Sequence, residues 1–123
     1  MIEQPDGIII TFGRDMINEQ GGLLTFVRGF QRTMSDEDSY WMHKCRNRPQ
    51  QEFDHIYIVI CNRVRWRCFF GGYETHATTG VTMDGKLLDT PWPRIILAGP
   101  LIEAPEKIRM QGFQGFRYTQ KLF

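Results

Sequence analysis

Basic residues alternate with apolar or small residues in two short stretches, and this spacing suits the binding of anions. The stretch RVRWRCF carries an arginine at every second position, and KCRNRP carries a lysine and two arginines in the same way. On a β-strand such positions share one face and lie roughly 7 Å apart, close to the spacing of phosphates in a nucleic acid. Each guanidinium can bind a phosphate through two parallel hydrogen bonds. The candidate nucleic-acid-binding cations are Lys44, Arg46, Arg48, Arg63, Arg65 and Arg67.

The cation rows have a second interpretation, because the solvated face of an antiparallel sheet often carries charge in the same alternation. Net charge over the 123 residues is only +1, but it is unevenly distributed. Residues 1–43 hold seven acidic residues and three arginines, whereas residues 44–67 hold six basic residues and two acidic ones. A basic segment in a nearly neutral chain favours a local anion site over a diffuse electrostatic coat. Pairing of this segment with the acidic first third stays open.

Aromatic residues beside a basic groove would add base stacking, which is worth roughly 1–3 kcal/mol per base. Trp41 comes just before the first basic stretch, and Tyr73 and Trp92 follow the second in segments expected to be loops. Trp92 stands between two prolines, which favour an extended connector. Trp66 shares its predicted face with Val64 and is expected in the core instead.

No sequence motif indicates a metal, a cofactor or a disulfide framework. The three cysteines cannot all pair with one another, and neither C-x-x-C nor H-x-x-x-H spacing is present. The chain also has no P-loop and no G-x-G-x-x-G sequence. We therefore expect neither a metal nor a cofactor. The polar N-terminal sequence and the lack of a long apolar run predict a cytoplasmic protein without a membrane partner.

The elements that must position these residues centre on FDHIYIVICNRVRWRCFF, residues 53–70. Residues 55–60 are apolar on both faces, with the isoleucines on one face and Tyr57 and Val59 on the other, as in a strand buried on both sides. A tight turn near Cys61-Asn62-Arg63 leads into a second strand. Its even positions from 64 to 70 are predicted to face a core, and its three arginines are predicted to face away from it.

The remaining segments predict further strands and two small helices. We expect strands at 7–12, 94–98 and 117–123, a hairpin at 81–88 around Asp84-Gly85, and a strand break at Gly71-Gly72. A helix is expected after Gly21-Gly22, helical turns after Ser35, and an irregular segment at 100–107. Five to seven short strands with two helices near the N-terminus indicate an α+β fold, mainly antiparallel β, curved or closed into a small barrel. The length predicts a single domain, residues 1–123.

The segments KCRNRP, DHIYI and GFQGFRY, which begin at Lys44, Asp54 and Gly112, resemble sequences of the PUA-like superfamily, in particular its ASCH and EVE members. The resemblance implies a small PUA-like β-barrel with short helices that binds RNA or reads modified bases. A few ASCH members hydrolyse acylated cytidines. The ASCH pattern has an acidic residue three positions after the lysine, where this chain has Asn47. This departure favours binding over catalysis.

Three functions follow from these observations. The first is the binding of RNA or of a modified nucleobase by the arginine row and the loop aromatics. The second is implied by the ASCH resemblance: an amidohydrolase for an acylated pyrimidine nucleoside, with Lys44, Glu74 and Thr78 as its amine, acid and hydroxyl. The third is a protein-interaction module, in which the basic edge docks an acidic protein or the chain self-associates. The oligomeric state stays open.

Overall fold

The computed structural model describes residues 4–45, 47–74, 78–81, 85, 87–90 and 94–123. These described residues form two α-helices and eight β-strands. The helices and strands are β1 (Gly7–Thr11), α1 (Arg14–Glu19), α2 (Leu23–Thr33), β2 (Tyr40–Lys44), β3 (His55–Ile60), β4 (Arg63–Glu74), β5 (Thr78–Val81), β6 (Leu87–Thr90), β7 (Arg94–Arg109) and β8 (Phe116–Thr119).

Six of these strands form one sheet in the order β2-β7-β4-β3-β1-β8, and β5 and β6 form a separate antiparallel pair. Only β1 and β3 run parallel among the six, so the predicted α+β fold with a mainly antiparallel sheet and two short helices near the N-terminus is confirmed. The described strands do not form a closed barrel, because β2 and β8 are the two edges of the sheet and do not pair with each other.

Strand β3 is buried on both faces, as the sequence predicts. Its three isoleucines belong to the main core, which also contains Phe26 and Phe30 of α2. Tyr57 and Val59 belong to a second core on the opposite face, packed against Phe113, Leu122 and Phe123 of the C-terminal segment. The sheet is therefore covered by helices on one side and by the chain after β7 on the other.

The turn between β3 and β4 is the predicted tight turn. Ile60 pairs with Arg63, so the loop has two residues, Cys61 and Asn62. Both have positive φ angles, 52° and 61°. Two consecutive left-handed residues define a type I′ turn, whose twist matches that of the flanking strands. Asparagine tolerates this conformation but cysteine disfavours it, so the strain of the turn is at Cys61.

Helix α2 begins after Gly21-Gly22, as predicted, and packs Val27 and Phe30 against the main core. Phe26 and Phe30 are fully buried, whereas Leu23 and Leu24 in the first turn are 47% and 63% exposed. The helical turns expected after Ser35 do not form. Instead, the Asp36 carboxylate accepts a hydrogen bond from the Asp38 N–H (3.0 Å), which stabilises a local turn before β2.

Two long strands replace predicted breaks. Strand β4 continues through Gly71-Gly72 to Glu74, with a register shift opposite β7 at that point. Strand β7 continues through 100–107, where the sequence predicts irregular structure, and pairs with β4 with shifts of register. The second hairpin is present as β5 and β6, with Val81 opposite Leu87. Asp84 of its predicted turn lies outside the described residues.

Replacing Cys61 with glycine is expected to raise the free energy of unfolding by about 0.5–1 kcal/mol. A residue with a Cβ at positive φ costs roughly 1–2 kcal/mol, part of which glycine recovers. Chemical denaturation measures the change. Cys61→Ser is the matched control, because it removes the thiol but keeps the Cβ, and it should leave stability unchanged. An equal gain in both variants would attribute the effect to the thiol and contradict turn strain.

Candidate ligand-binding cavity

The three arginines of β4 do not form the predicted row. Val59 pairs with Val64 and Ile58 with Trp66, so Arg65 is an extra residue in a β-bulge. The extra residue inverts the alternation, because Val64 packs in the second core while Trp66 packs in the main core. Directly paired residues share a face. Arg63, opposite Ile60, and Arg67, opposite Tyr57, therefore lie on opposite faces of the sheet.

Two of these arginines also have partners within the chain. The Nε of Arg65 lies 3.9 Å from a carboxylate oxygen of Glu103. Arg67 donates a hydrogen bond to the Phe123 carbonyl, and its guanidinium carbon lies 5.4 Å from the centroid of the Phe123 ring. The prediction of a continuous arginine face is therefore wrong, and its physical reason is the bulge at Arg65.

The predicted stacking aromatics are also engaged by neighbours. Trp41 packs edge-on against Phe26 and Phe30, with ring centroids 5.8 and 5.5 Å away, as part of the core periphery. The guanidinium of Arg48 lies 3.9 Å above the Tyr73 ring. Burial raises the pKa of Tyr73, and the Arg48 charge opposes this shift. Arg46 and Trp92 lie outside the described residues.

A cavity of about 640 Å³ lies between the two edges of the sheet. Its walls come from β1, from the end of β2 with the segment that follows it, from β7 and from the loop before β8. The lining residues are Ile8, Ile10, Thr11, Gly13, His43, Lys44, Cys45, Asn47, Pro49, Ile95, Phe113, Gln114, Gly115 and Phe116. Lys44 is the only residue in this set with a full charge at pH 7, and no carboxylate is among them.

Strand β2 is an edge of the sheet, and every second residue of it has its backbone N–H and C=O directed away from β7. Ser39 accepts a hydrogen bond from the Gly99 N–H (3.0 Å), which fixes the phase of the antiparallel ladder. With Tyr40 opposite Ala98 and Lys44 opposite Arg94, hydrogen bonds to β7 fall on the odd-numbered residues of β2. The N–H and C=O of Lys44, a cavity residue, therefore point away from β7 along the free edge.

The β8 edge is held near the end of β2 by Tyr118. Its hydroxyl accepts hydrogen bonds from the N–H groups of Gln50 (2.7 Å) and Gln51 (2.9 Å), in the segment that follows β2. The loop that leads into β8 is fixed as well, because the Phe113 N–H donates to the Thr11 hydroxyl (3.2 Å). Gly115 in this loop has φ of 78°, a conformation that favours glycine.

His43 gives the cavity a neutral hydrogen-bonding group. Burial, and secondarily the nearby Lys44 ammonium, lower the pKa of the imidazole from 6.5 to about 4. A neutral imidazole has one nitrogen that donates and one that accepts, so it can bind either kind of ligand atom. No sequence motif singles out this residue as a binding group. Its only signal in the sequence is the alternation in β2, which places it on the face opposite Lys44.

The residues of the predicted hydrolase site are partly brought together. In the sheet register, Arg94 of β7 lies opposite Lys44 of β2 on one side and opposite Glu74 of β4 on the other. The three residues therefore lie in line across neighbouring strands. Arg94 is 4% exposed. Strand spacing puts Lys44 and Glu74 roughly 10 Å apart, with the arginine between them. The side chain of Thr78 lies outside the described residues.

The described residues bring together no group of three histidine, cysteine, aspartate or glutamate side chains that could hold a metal ion. Neither of the described helices has the length and apolar character needed to cross a membrane. In comparisons with known proteins, no family model, no curated protein and no solved structure matches the chain.

Stability is expected to fall as the pH is lowered from 6.5 towards 4, the ordinary and the folded-state pKa of His43. In this range the unfolded chain binds more protons at His43 than the folded one, so acid favours unfolding. The full shift corresponds to roughly 3 kcal/mol. Chemical denaturation at several pH values measures it. His43→Gln should have a flatter pH dependence than the natural chain, and equal slopes would contradict a buried, neutral imidazole.

Proposed function

We propose that the chain binds RNA or a modified nucleotide by enclosing one base in the cavity between β2 and β8. The observation that carries this proposal is the composition of the cavity wall, whose described residues combine apolar and aromatic side chains with one cation and no carboxylate. A volume of about 640 Å³ is within the range of small-ligand pockets, roughly 300–1,000 Å³. The resemblance to the PUA-like superfamily implies the same class of ligand.

Each part of a nucleotide has a suitable group in the wall. Phe113 and Phe116 supply aromatic surface on which a base can stack. The imidazole of His43 and the outward N–H and C=O of Lys44 supply donors and acceptors for its polar edge. The Lys44 ammonium, on an exposed residue at the end of β2, supplies a charge for a phosphate. This role replaces that of the arginine row, which the bulge in β4 divides.

Lys44→Gln is expected to weaken the binding of a nucleoside 5′-monophosphate about tenfold and to leave the corresponding nucleoside unchanged. A hydrogen bond to a charged group contributes roughly 1.5 kcal/mol, which is about that factor. Saturation-transfer NMR and calorimetry with cytidine, uridine, their acetylated derivatives and their monophosphates measure it. Lys107→Gln is the control, because Lys107 is exposed near the opposite end of β7.

Gly13→Phe tests whether the ligand occupies the cavity. Gly13 lines it in an extended conformation (φ −82°), and a Cβ added there meets no atom within 4 Å. The phenylalanine should therefore obstruct the cavity without straining the backbone and abolish the binding of base and nucleotide. Gly13→Ser, the matched small substitution, should bind normally. Binding that survives Gly13→Phe would overturn the proposal, as would the absence of binding across the whole panel.

A second candidate is hydrolysis of an acylated pyrimidine nucleoside, which the alignment of Lys44 and Glu74 on either side of Arg94 favours. Turnover of N4-acetylcytidine, followed by chromatography, is the measurement. Lys44→Ala and Glu74→Gln should each abolish it while the thermal melting curve stays that of a folded chain. Binding without turnover would leave the first candidate standing and exclude the second for that substrate.

A further inference from the structure

Arg63 and Arg109 form a pair of like charges at the end of the sheet opposite Lys44. They are direct partners in the β4–β7 ladder. The Met110 N–H donates a hydrogen bond to the Asn62 carbonyl (3.1 Å), so residues 62 and 110 form a hydrogen-bonded pair. Because the two kinds of pair alternate along an antiparallel ladder, the next pair, Arg63 and Arg109, is a non-hydrogen-bonded pair. In that kind of pair the Cα atoms are roughly 4.5 Å apart and the side chains approach most closely. Like charges in this position destabilise a sheet.

Neither guanidinium is neutralised within the described part of the chain. No described carboxylate lies within 4.0 Å of either one, whereas Arg65, two residues from Arg63, pairs with Glu103. Glu103, Glu106 and Lys107 line a depression of about 240 Å³ beside Arg63. The two glutamates are thus near, but of the two only Glu103 forms an ion pair among the described residues, with Arg65 at 3.9 Å.

Shared lining residues connect the cavity between the sheet edges with a depression beside Arg109. Thr11 and Gly13 line both the cavity and a second depression of about 480 Å³. Asn62 lines both that depression and a third, of about 420 Å³, whose wall includes Arg109. These residues therefore link the cavity near Lys44, by way of Thr11 and the β3–β4 turn, to the depression beside Arg109.

We propose that Arg63 and Arg109 form an anion site for a phosphate group. A phosphate between the two guanidiniums can accept two hydrogen bonds from each, and it removes the repulsion that the ladder imposes. The same chemistry serves a free phosphate ion and a phosphodiester of a nucleic-acid strand. The site stands independently of the cavity, although the linked depressions would allow one strand to reach both.

The first test compares thermal melting in sodium phosphate and in sodium chloride at equal ionic strength. For the natural chain, phosphate should raise the melting temperature by about 4 °C or more over chloride, because it binds only the folded pair. Arg109→Glu should melt higher than the natural chain in chloride, since it converts the repulsive pair into an ion pair, and it should gain nothing from phosphate. Arg28→Gln, an exposed arginine of α2, is the control and should keep the full phosphate effect.

The second test distinguishes the two sources of phosphate. A fluorescent single-stranded RNA of ten uridines is titrated at several salt concentrations, and the slope of log K against log salt is compared between variants. If the site takes phosphodiesters, Arg63→Gln and Arg109→Gln should each weaken binding severalfold. Together they should reduce the slope by about 0.7 for each phosphate that the protein no longer neutralises. An unchanged slope, with the phosphate effect on melting retained, assigns the site to free phosphate.

The result that overturns the site is a natural chain that melts alike in phosphate and chloride and whose RNA affinity does not change in either arginine variant. A phosphate effect that persists in Arg109→Glu would also overturn it. Gly13→Phe separates this inference from the proposed function. An obstructed cavity should abolish nucleotide binding but leave the effect of phosphate on melting intact.

Discussion

Burial of β3 on both faces is the constraint on which the rest of the molecule depends. A strand with isoleucines on one side and Tyr57 and Val59 on the other needs a cover on each side. Helix α2 supplies one cover and the segment after β7 supplies the other. Because the Tyr57 hydroxyl lies in an apolar layer, it must find polar partners. It donates to the Asp6 carboxylate (2.6 Å) and accepts from the Leu122 N–H (3.2 Å), which fixes both ends of the described chain against the sheet.

The bulge at Arg65 matters because β4 lies beside β3 and contributes side chains to both cores. Each face of β3 carries its own set of apolar side chains. One extra residue in β4 therefore decides which of the two cores each β4 side chain enters. Val64 enters the second core and Trp66 the main core. The arginines are divided in the same way. As a result, Arg67 lies beside Phe123 and Arg63 lies beside Arg109, so these two charges of β4 are on opposite faces of the sheet.

Local patterns predict the features that depend on local interactions. The faces of β3, the two-residue turn at Cys61 and Asn62, and the start of α2 after two glycines all follow from periodicity and backbone preference. Features that depend on distant pairing do not follow in this way. The segment 100–107, with its prolines, has the composition of an irregular segment, yet the β4 ladder continues along it. The bulge at Arg65 leaves no trace in an alternation of arginine and apolar residues. The cavity wall combines segments about a hundred residues apart in the sequence. The segments KCRNRP and GFQGFRY contain many of its residues, but no local pattern shows that the two segments meet.

The pairing of β1 with β8 has a mechanical consequence. Gly7, at the start of β1, lies opposite Thr119, at the end of β8, so the two termini of this antiparallel pair are at the same end of the strands. Tension applied between the two ends would load the interstrand hydrogen bonds one after another rather than all together. Strand β8 would then separate from β1 from Thr119 towards Phe116, whose departure removes one wall of the cavity. Because Leu122 and Phe123, which follow β8, pack in the second core, tension from this end would loosen that core before it opens the cavity wall.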